Sequence, residues 1–385
     1  MNMDSTINKL LEGVAEELSI TDSQHGAIER AYNSVADWLN KNDSYLNGYK
    51  VQIFPQGSMK LGTVVKPLQE DDYDVDLVCL LTQNSQNLSA SDVKHLVGNR
   101  LKEHEKYSKM LKKPEGNRCW KLVYSDDLNF HMDILPSVPF TSESLNQNSE
   151  LNLVHGAPIW ATHKQSDNKY DFIPTNPRGY AEWFKGMMQD YQKILFERGN
   201  IEKLPEYPNK TPLQMTVQLL KRHRDVMYEN DKEDIAPISI IITTLAARAY
   251  RSEMELYSAL YNIVNSMDKF IEDVNGTSYV RNPVMNKENF AEKWITNPKK
   301  KKAFFDWLMR IRKDLEELSK LKGLDLVSKK MKEMFGQKVV DRTFNKYGAE
   351  SKELRAEGKL GVSKQTTNIS AGGDVKIQPH SFHSK

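Results

Sequence analysis

The sequence predicts an α+β protein, and three observations carry that expectation. Stretches with a period of two lie within the first 140 residues, where they mix with helical periodicity and argue for an α/β or α+β domain. From Tyr180 onward the apolar residues recur nearly always at helical spacing. At 385 residues, 39% of them hydrophobic, the chain is long enough for two or three domains and apolar enough for at least two cores.

The elements follow in order. Ile7, Leu10, Leu11, Val14 and Leu18 share one helical face, and Ile28, Ala31, Tyr32, Val35, Trp38 and Leu39 share a second. Thr21 and Gln24 have the form of a capping box opening the second helix. The period then changes. Val51 and Ile53 alternate as a strand ended by Pro55, and Gly57-Ser58 begins a new element. Val75, Leu77, Cys79 and Leu81 alternate with Asp74, Asp76, Val78 and Leu80. Phe130, Met132 and Ile134 alternate with Asn129, His131, Asp133 and Leu135, in a strand expected to stop at Pro136. Further on, Leu213, Val217 and Leu220 mark a helix carrying Lys221, Arg222 and Arg224; residues 238–250 read as a buried apolar helix; Phe304, Trp307, Leu308 and Ile311 mark another. Asn-Pro pairs at Asn176, Asn282 and Asn297 punctuate this region as loops or helix starts. After about Lys359 the chain is poor in apolar residues, rich in Gly, Ser and Thr, and reads as a flexible tail.

Composition excludes several classes. A net charge of +2 does not suit bulk electrostatic coating of DNA. Two cysteines, Cys79 and Cys119, exclude a disulfide scaffold and a cysteine-built zinc module. The first residues carry acids within their apolar stretch and lack a cleavable signal. No run approaches the ~18 apolar residues of a membrane span. The expectation is a reduced, soluble, cytoplasmic protein.

The chemistry concentrates on three carboxylates. Asp74 and Asp76 are two apart on a strand, so both leave the same face. Such a pair repels itself unless a cation lies between, and a hard divalent metal beside substrate phosphates is the usual reason for one. Asp133 sits on a second alternating strand. If those strands are neighbours, three carboxylates converge, enough to hold two metals for in-line phosphoryl or nucleotidyl transfer. An isolated Asp-x-Asp also occurs on edge strands for solubility. The upstream Gly57-Ser58 in FPQGSMKLGT adds weight, since a strand ending in Gly-Ser at a helix opening offers amides and a hydroxyl to an anion.

Gly-Ser, then Asp-x-Asp on a strand, then a third Asp on a later strand resembles the polymerase-β-like nucleotidyltransferase superfamily. The stretches FPQGSMKLGTVVKP, DYDVDLVCLL, FHMDILPSVP, TNPRGYAEWF, TPLQMTVQLLKRHRDVM, PISIIITTLAARAY and NPVMNKENFAEKW resemble more closely the bacterial cGAS/DncV-like nucleotidyltransferases, which make cyclic oligonucleotide signals in anti-phage defence. The resemblance spans Phe54–Trp294. It implies a bilobal α+β fold: a mixed catalytic sheet, a helical second lobe, and nucleotides in the cleft between. The corresponding divisions are 1–45 for N-terminal helices bridging the lobes, 46–200 for the catalytic domain, 201–358 for the helical nucleotide-binding domain and 359–385 for the tail.

By that resemblance Asp74, Asp76 and Asp133 are the metal-binding and catalytic triad, with two Mg²⁺ ions and Mn²⁺ as a substitute. Gly57 and Ser58 would grip the donor triphosphate, with Lys221 and then Ser239 as further nucleotide ligands. The gap from Ser58 to Asp74 is longer than in the tightest versions of the motif, and the acidic stretch at 70–74 puts Asp72 on the same face. The implied activity joins ATP and GTP, or another nucleoside triphosphate, into a cyclic di- or trinucleotide for a downstream effector. The alternatives are a template-independent RNA-end nucleotidyltransferase and an inactive nucleotide or RNA sensor. Without a zinc-binding insertion, direct DNA activation is not expected. A ubiquitin-transfer-like or other regulatory partner at the C-terminal tail is a further expectation, although that system usually wants a small terminal residue and the sequence ends His383-Ser384-Lys385. The Lys299–Lys302 run precedes an apolar-periodic helix and hints at an anion partner, with a solvated loop as the plainer reading. Tyr180, Trp183 and Phe184 are base-stacking or core aromatics.

Overall fold

A computed structural model of the chain describes residues 3–68, 73–124, 130–140, 157–188 and 210–357, with three short strands at 360–362, 369–371 and 375–376. Two amphipathic helices come first, α1 (Met3–Leu18) and α2 (Asp22–Leu39). Thr21 and Gln24 form the reciprocal capping box at the start of α2. Then follow β1 (Val51–Pro55), the short α3 (Gly57–Leu61), β2 (Tyr73–Leu81), α4 (Ala90–Glu103), α5 (Glu105–Met110), β3 (Trp120–Tyr124), β4 (Phe130–Pro139), β5 (Ile159–Lys164) and β6 (Tyr170–Thr175).

These strands make one mixed sheet in the order β1-β2-β4-β5-β6, with β3 also on β4. Strands β2 and β4 are parallel and the other pairs antiparallel. The alternation of β2 explains the layering. Val75, Leu77, Cys79 and Leu81 enter a core shared with Ile28, Tyr32 and Val35 of α2 and with Val93 and Val97 of α4. On the other face only Val78 and Leu80 pack, against Phe54, Leu135 and Ile159. That face is apolar at one end and acidic at the other.

Helices α6 (Pro177–Gly186), α7 (Pro212–Met227), α8 (Ser239–Ala249) and α9 (Leu256–Val264) begin the second half. Asn176 caps α6 with Pro177 in its first turn, and Thr211-Gln214 form a capping box on α7. Two hairpins interrupt the helices: β7 (Glu272–Val274) with β8 (Thr277–Tyr279), and β9 (Arg281–Asn282) with β10 (Met285–Asn289). Then come α10 (Lys293–Thr296), α11 (Pro298–Lys320), α12 (Leu324–Phe335) and α13 (Gln337–Ala356). Their core includes Val217 and Leu220 of α7, Trp307 and Ile311 of α11, and also Leu10, Leu11 and Val14 of α1. The first two helices therefore serve different cores, α1 the helical one and α2 that of the sheet.

Four readings change. Strand β4 runs through Pro136 to Pro139. Pairing with β3 ends at Ile134 and pairing with β5 starts at Ser137, so Pro136 is paired on one edge alone, opposite Cys79 of β2, and a proline costs a strand least where one edge is unpaired. Helix α6 precedes the expected boundary at 200, yet Tyr180, Trp183 and Phe184 are buried in the helical core. These three aromatics are packing residues. Within the expected tail, β11 (Leu360–Val362) pairs antiparallel with both β12 (Ile369–Ala371) and β13 (Val375–Lys376). Lys299, Lys300 and Lys302 pair with Glu233, Asp234 and Asp306 at 2.6, 3.0 and 2.6 Å. The anion expected at the start of α11 is supplied largely by the chain's own acidic loop.

Candidate active site

The parallel register of β2 and β4 sets Asp76 opposite Asp133 and Asp74 opposite His131. Lys121 of β3 stands opposite Asp133. Partners across a ladder share a face, so Lys121, Asp133 and Asp76 form a row over three strands, with His131 and Asp74 in the next. Lys121 Nζ lies 3.3 Å from Asp133 Oδ1, and His131 Nε2 contacts Asp74 Oδ1. Gln24 Nε2 donates to Tyr73 Oη at 2.9 Å, tying α2 to the start of β2.

At the end of β1 the chain turns into α3 across this face. Gln56 N donates to Asp76 O at 2.9 Å, and Gly57 follows with φ +62°. A β-carbon at Gly57 would lie 2.2 Å from Asp76 Oδ2. Glycine is therefore required twice, by conformation and by space. Gly62, at φ +69°, ends α3, and Thr63 N donates back to Ser58 O at 3.0 Å.

A cleft of about 760 Å³ opens between the sheet and the helical half. Gly57, Ser58, Asp74, Asp76, Lys221 and Ser239 all line it. Asp133 is not part of that lining and reaches the group through its register with Asp76. Asp72 lies outside the described residues. Ser239 is the first residue of α8, whose N-cap Ile238 supplies no side-chain cap. Its Oγ accepts from Arg224 Nη2 at 3.2 Å, and Arg224 also donates to Asp225 Oδ1 at 2.6 Å and Pro237 O at 2.5 Å. Lys221 is buried, not solvated, and donates to Thr63 O at 3.1 Å and to Thr63 Oγ1 at 3.3 Å.

Electrostatics separate the carboxylates. Burial, then the charges of Asp74 and Asp133, push Asp76 up to about 7. Burial raises Asp133 despite Lys121 and His131, with Asp74 adding repulsion. Asp74 goes the other way: burial would raise it, but the hydrogen bond and charge of His131 bring it below the usual carboxylate range. His131 is correspondingly raised, its burial outweighed by Asp74. Burial, then Arg224, lower Lys221 to about 8. A set of hard oxygen donors on one face, one of them raised toward neutrality by burial and by the charges of its neighbours, is the donor chemistry of a divalent cation site. Asp74, His131 and Asp133 each bring a ligand atom within 4.8 Å of the others.

Residues 51–136 match the family model described as cyclic GMP-AMP synthase DncV-like, nucleotidyltransferase domain. That segment is similar to a DncV-like nucleotidyltransferase domain. Gly57, Ser58, Asp74, Asp76 and Asp133 all fall within it, and Lys221 and Ser239 lie beyond. The chain is 28% identical over 343 residues to a c-di-GMP synthase of Roseivirga ehrenbergii, covering 87% of this chain and 85% of that protein. It is 23% identical over 311 residues to the cyclic dinucleotide synthase CdnG of Bradyrhizobium diazoefficiens, covering 75% and 70%. The solved structure of that CdnG in complex with GTP matches with a TM-score of 0.70 at 20% identity, over 89% of this chain and 99% of that one. A Vibrio cholerae DncV mutant in complex with ATP and GTP matches with a TM-score of 0.56 at 14% identity, over 84% and 93%. The fold is thus that of the CdnG and DncV structures.

Sequence reasoning overlooked Lys121, which stands on β3 opposite Asp133 and in one row with Asp76. Its signal was the alternation of Trp120, Leu122 and Tyr124 with Lys121 and Val123. The hold of Arg224 on Ser239 left no such trace, because it joins two helices across a loop.

Proposed function

We propose that this nucleotidyltransferase is a cyclic dinucleotide synthase that joins nucleoside triphosphates with release of pyrophosphate, and that GTP is its preferred substrate. The observation that carries the chemistry is the packing of Gly57 on the Asp76 carboxylate, which sets the Gly-Ser turn directly against the acidic face. The relation to a c-di-GMP synthase over 87% of the chain supports cyclic product and guanine base.

In this reading the triphosphate of the donor lies between the Gly57-Ser58 turn and the α7–α8 wall. Lys221 contributes a cationic head, Arg224 orients the Ser239 hydroxyl, and the dipole of α8 favours the anion. The ribose hydroxyl oxygen of the second nucleotide bonds to the donor's α-phosphorus. The bond from that phosphorus to the bridging oxygen breaks and pyrophosphate leaves, while the hydroxyl proton departs toward the carboxylate face. Asp74, Asp76 and Asp133 would hold two magnesium ions, or manganese in their place, whose chemistry when bound is charge neutralisation and activation of the ribose hydroxyl. Lys121 and His131 keep Asp133 and Asp74 oriented meanwhile. A second round closes the ring.

Among the described residues no helix is long and apolar enough to cross a membrane. A cytoplasmic site of action follows from the substrates, which are intracellular. The product would act as a second messenger for an effector in anti-phage defence, with a regulatory protein acting on the C-terminal segment.

The test is incubation with GTP, ATP, and all four ribonucleotides in the presence of Mg²⁺, followed by phosphatase treatment and mass spectrometry. GTP alone should yield a phosphatase-resistant cyclic di-GMP. Elongation of an added RNA end without cyclic product would favour the RNA-end reading, and no turnover under any condition would refute both.

A further inference from the structure

The segment between the Gly-Ser turn and the acidic strand is irregular: residues 63–67 are neither helix nor strand. Val64, Val65, Pro67 and Leu68 nevertheless form part of the cleft wall. Irregular backbone packed in this way needs partners for its carbonyls, and one helix provides them. Gln214 Nε2 donates to Leu61 O at 2.9 Å and Gln218 Nε2 to Val64 O at 2.5 Å. Lys221 Nζ donates to Thr63 O at 3.1 Å. Arg222 Nη2 donates to Lys66 O, and to Pro67 O at 3.3 Å.

The four donors stand at positions i, i+4, i+7 and i+8 of α7, which is one stripe of a helix. All are buried, with Gln214, Gln218 and Arg222 no more than 1% exposed. The Gln214 amide is fixed from both ends, since its Oε1 accepts from Thr211 N at 3.0 Å in the capping box. Arg222 is the costliest member: a buried guanidinium whose Nε, among the described residues, has no partner and whose Nη2 donates to two backbone carbonyls. Packing alone would be served at lower cost by an apolar side chain.

We propose that this stripe of α7 is a carbonyl clamp, with Arg222 and Gln218 as positioning residues that hold the 61–67 strap, and through it the Gly57-Ser58 turn, in fixed register with Lys221. The two glutamines set the near half of the strap and Arg222 the far half, next to the cleft wall. The same helix carries the triphosphate-facing Lys221 one residue before Arg222, so strap and cation move as one body. The catalytic consequence rests on the nucleotidyltransferase reading above; the structural one does not.

The test compares wild type with Arg222→Met, Arg222→Lys, Gln218→Leu and a core control, Leu315→Ala, whose side chain is buried in the helical core. Two readouts are taken well below each melting midpoint: steady-state GTP turnover, and amide hydrogen exchange over residues 57–68. The clamp predicts that Arg222→Met raises KM for GTP about tenfold or more with kcat changed less than threefold. Arg222→Lys should recover part of that loss, Gln218→Leu should follow Arg222→Met, and Leu315→Ala should keep the wild-type KM. Exchange over 57–68 should rise about tenfold in Arg222→Met and Gln218→Leu but not in Leu315→Ala. Equal exchange in all variants, or a KM in Leu315→Ala that matches Arg222→Met, overturns the clamp. If wild type turns over no nucleotide, the functional reading fails while hydrogen exchange still decides the clamp.

Discussion

Gly57 and Asp76 occupy each other's space: the position a β-carbon would take on Gly57 lies 2.2 Å from Asp76 Oδ2. The Gly-Ser turn and the Asp76 carboxylate are therefore one packed unit. Replacing Gly57 by alanine must move the carboxylate or the turn, and adds about 1–2 kcal/mol for a non-glycine residue in the left-handed region. Gly57→Ala should lower kcat/KM for GTP about a hundredfold or more and lower the melting temperature by several degrees, measured by turnover and scanning calorimetry.

Asp76 makes a second prediction through its environment. Its folded pKa of about 7 exceeds the ordinary carboxylate value. A group raised in this way favours the folded state fully below its unfolded pKa, near 4, and loses that contribution as pH rises through 7. Asp76→Asn removes the repelling charge. In EDTA the variant should melt higher than wild type by a few degrees at pH 8 and by little or nothing at pH 4, while losing activity at least a thousandfold. Mg²⁺ should raise the wild-type midpoint at pH 8 more than that of the variant.

Lys221 titrates in an accessible range, with burial and Arg224 lowering it to about 8. A neutral amine does not hold a triphosphate. The profile of kcat/KM for GTP should fall with rising pH on a limb near 8, and Lys221→Met should lower the neutral-pH value about tenfold or more and remove that limb. A limb unchanged in the variant would assign it to another group.

Outside the cleft lining, Asp314 is held at 3.1 Å by His223, 2.9 Å by Arg310 and 2.7 Å by Lys330. Burial would raise its pKa, but the hydrogen bonds of those three partners bring it far below the usual range. Such a carboxylate contributes stability above its unfolded pKa, near 4, and that contribution fades as pH falls toward the folded value. Asp314→Asn should cost about 3–5 kcal/mol of stability at pH 7, with a smaller difference below pH 3. Denaturant titration at the two pH values measures both.

What the sequence determined by itself is local in physical origin. The alternation of 74–81 placed Asp74 and Asp76 together because a strand repeats every two residues. The capping box at Thr21 and the helix start at Pro177 depend on contacts within one turn. Gly57 was legible as a turn residue before Asp76 was known to fill the space beside it. Tertiary structure decided the rest, because each remaining feature joins residues distant along the chain. The register of β2 on β4 set Asp76 beside Asp133, and that of β3 brought Lys121 to them. The lysines at 299 and 300 found their acids some 66 residues away in the chain. Arg222 reads as a surface cation on a helix, and only the return of the strap, 155–156 residues earlier, buried it against two carbonyls. Periodicity reports which face a side chain leaves; which neighbour that face meets depends on how the whole chain closes its cores.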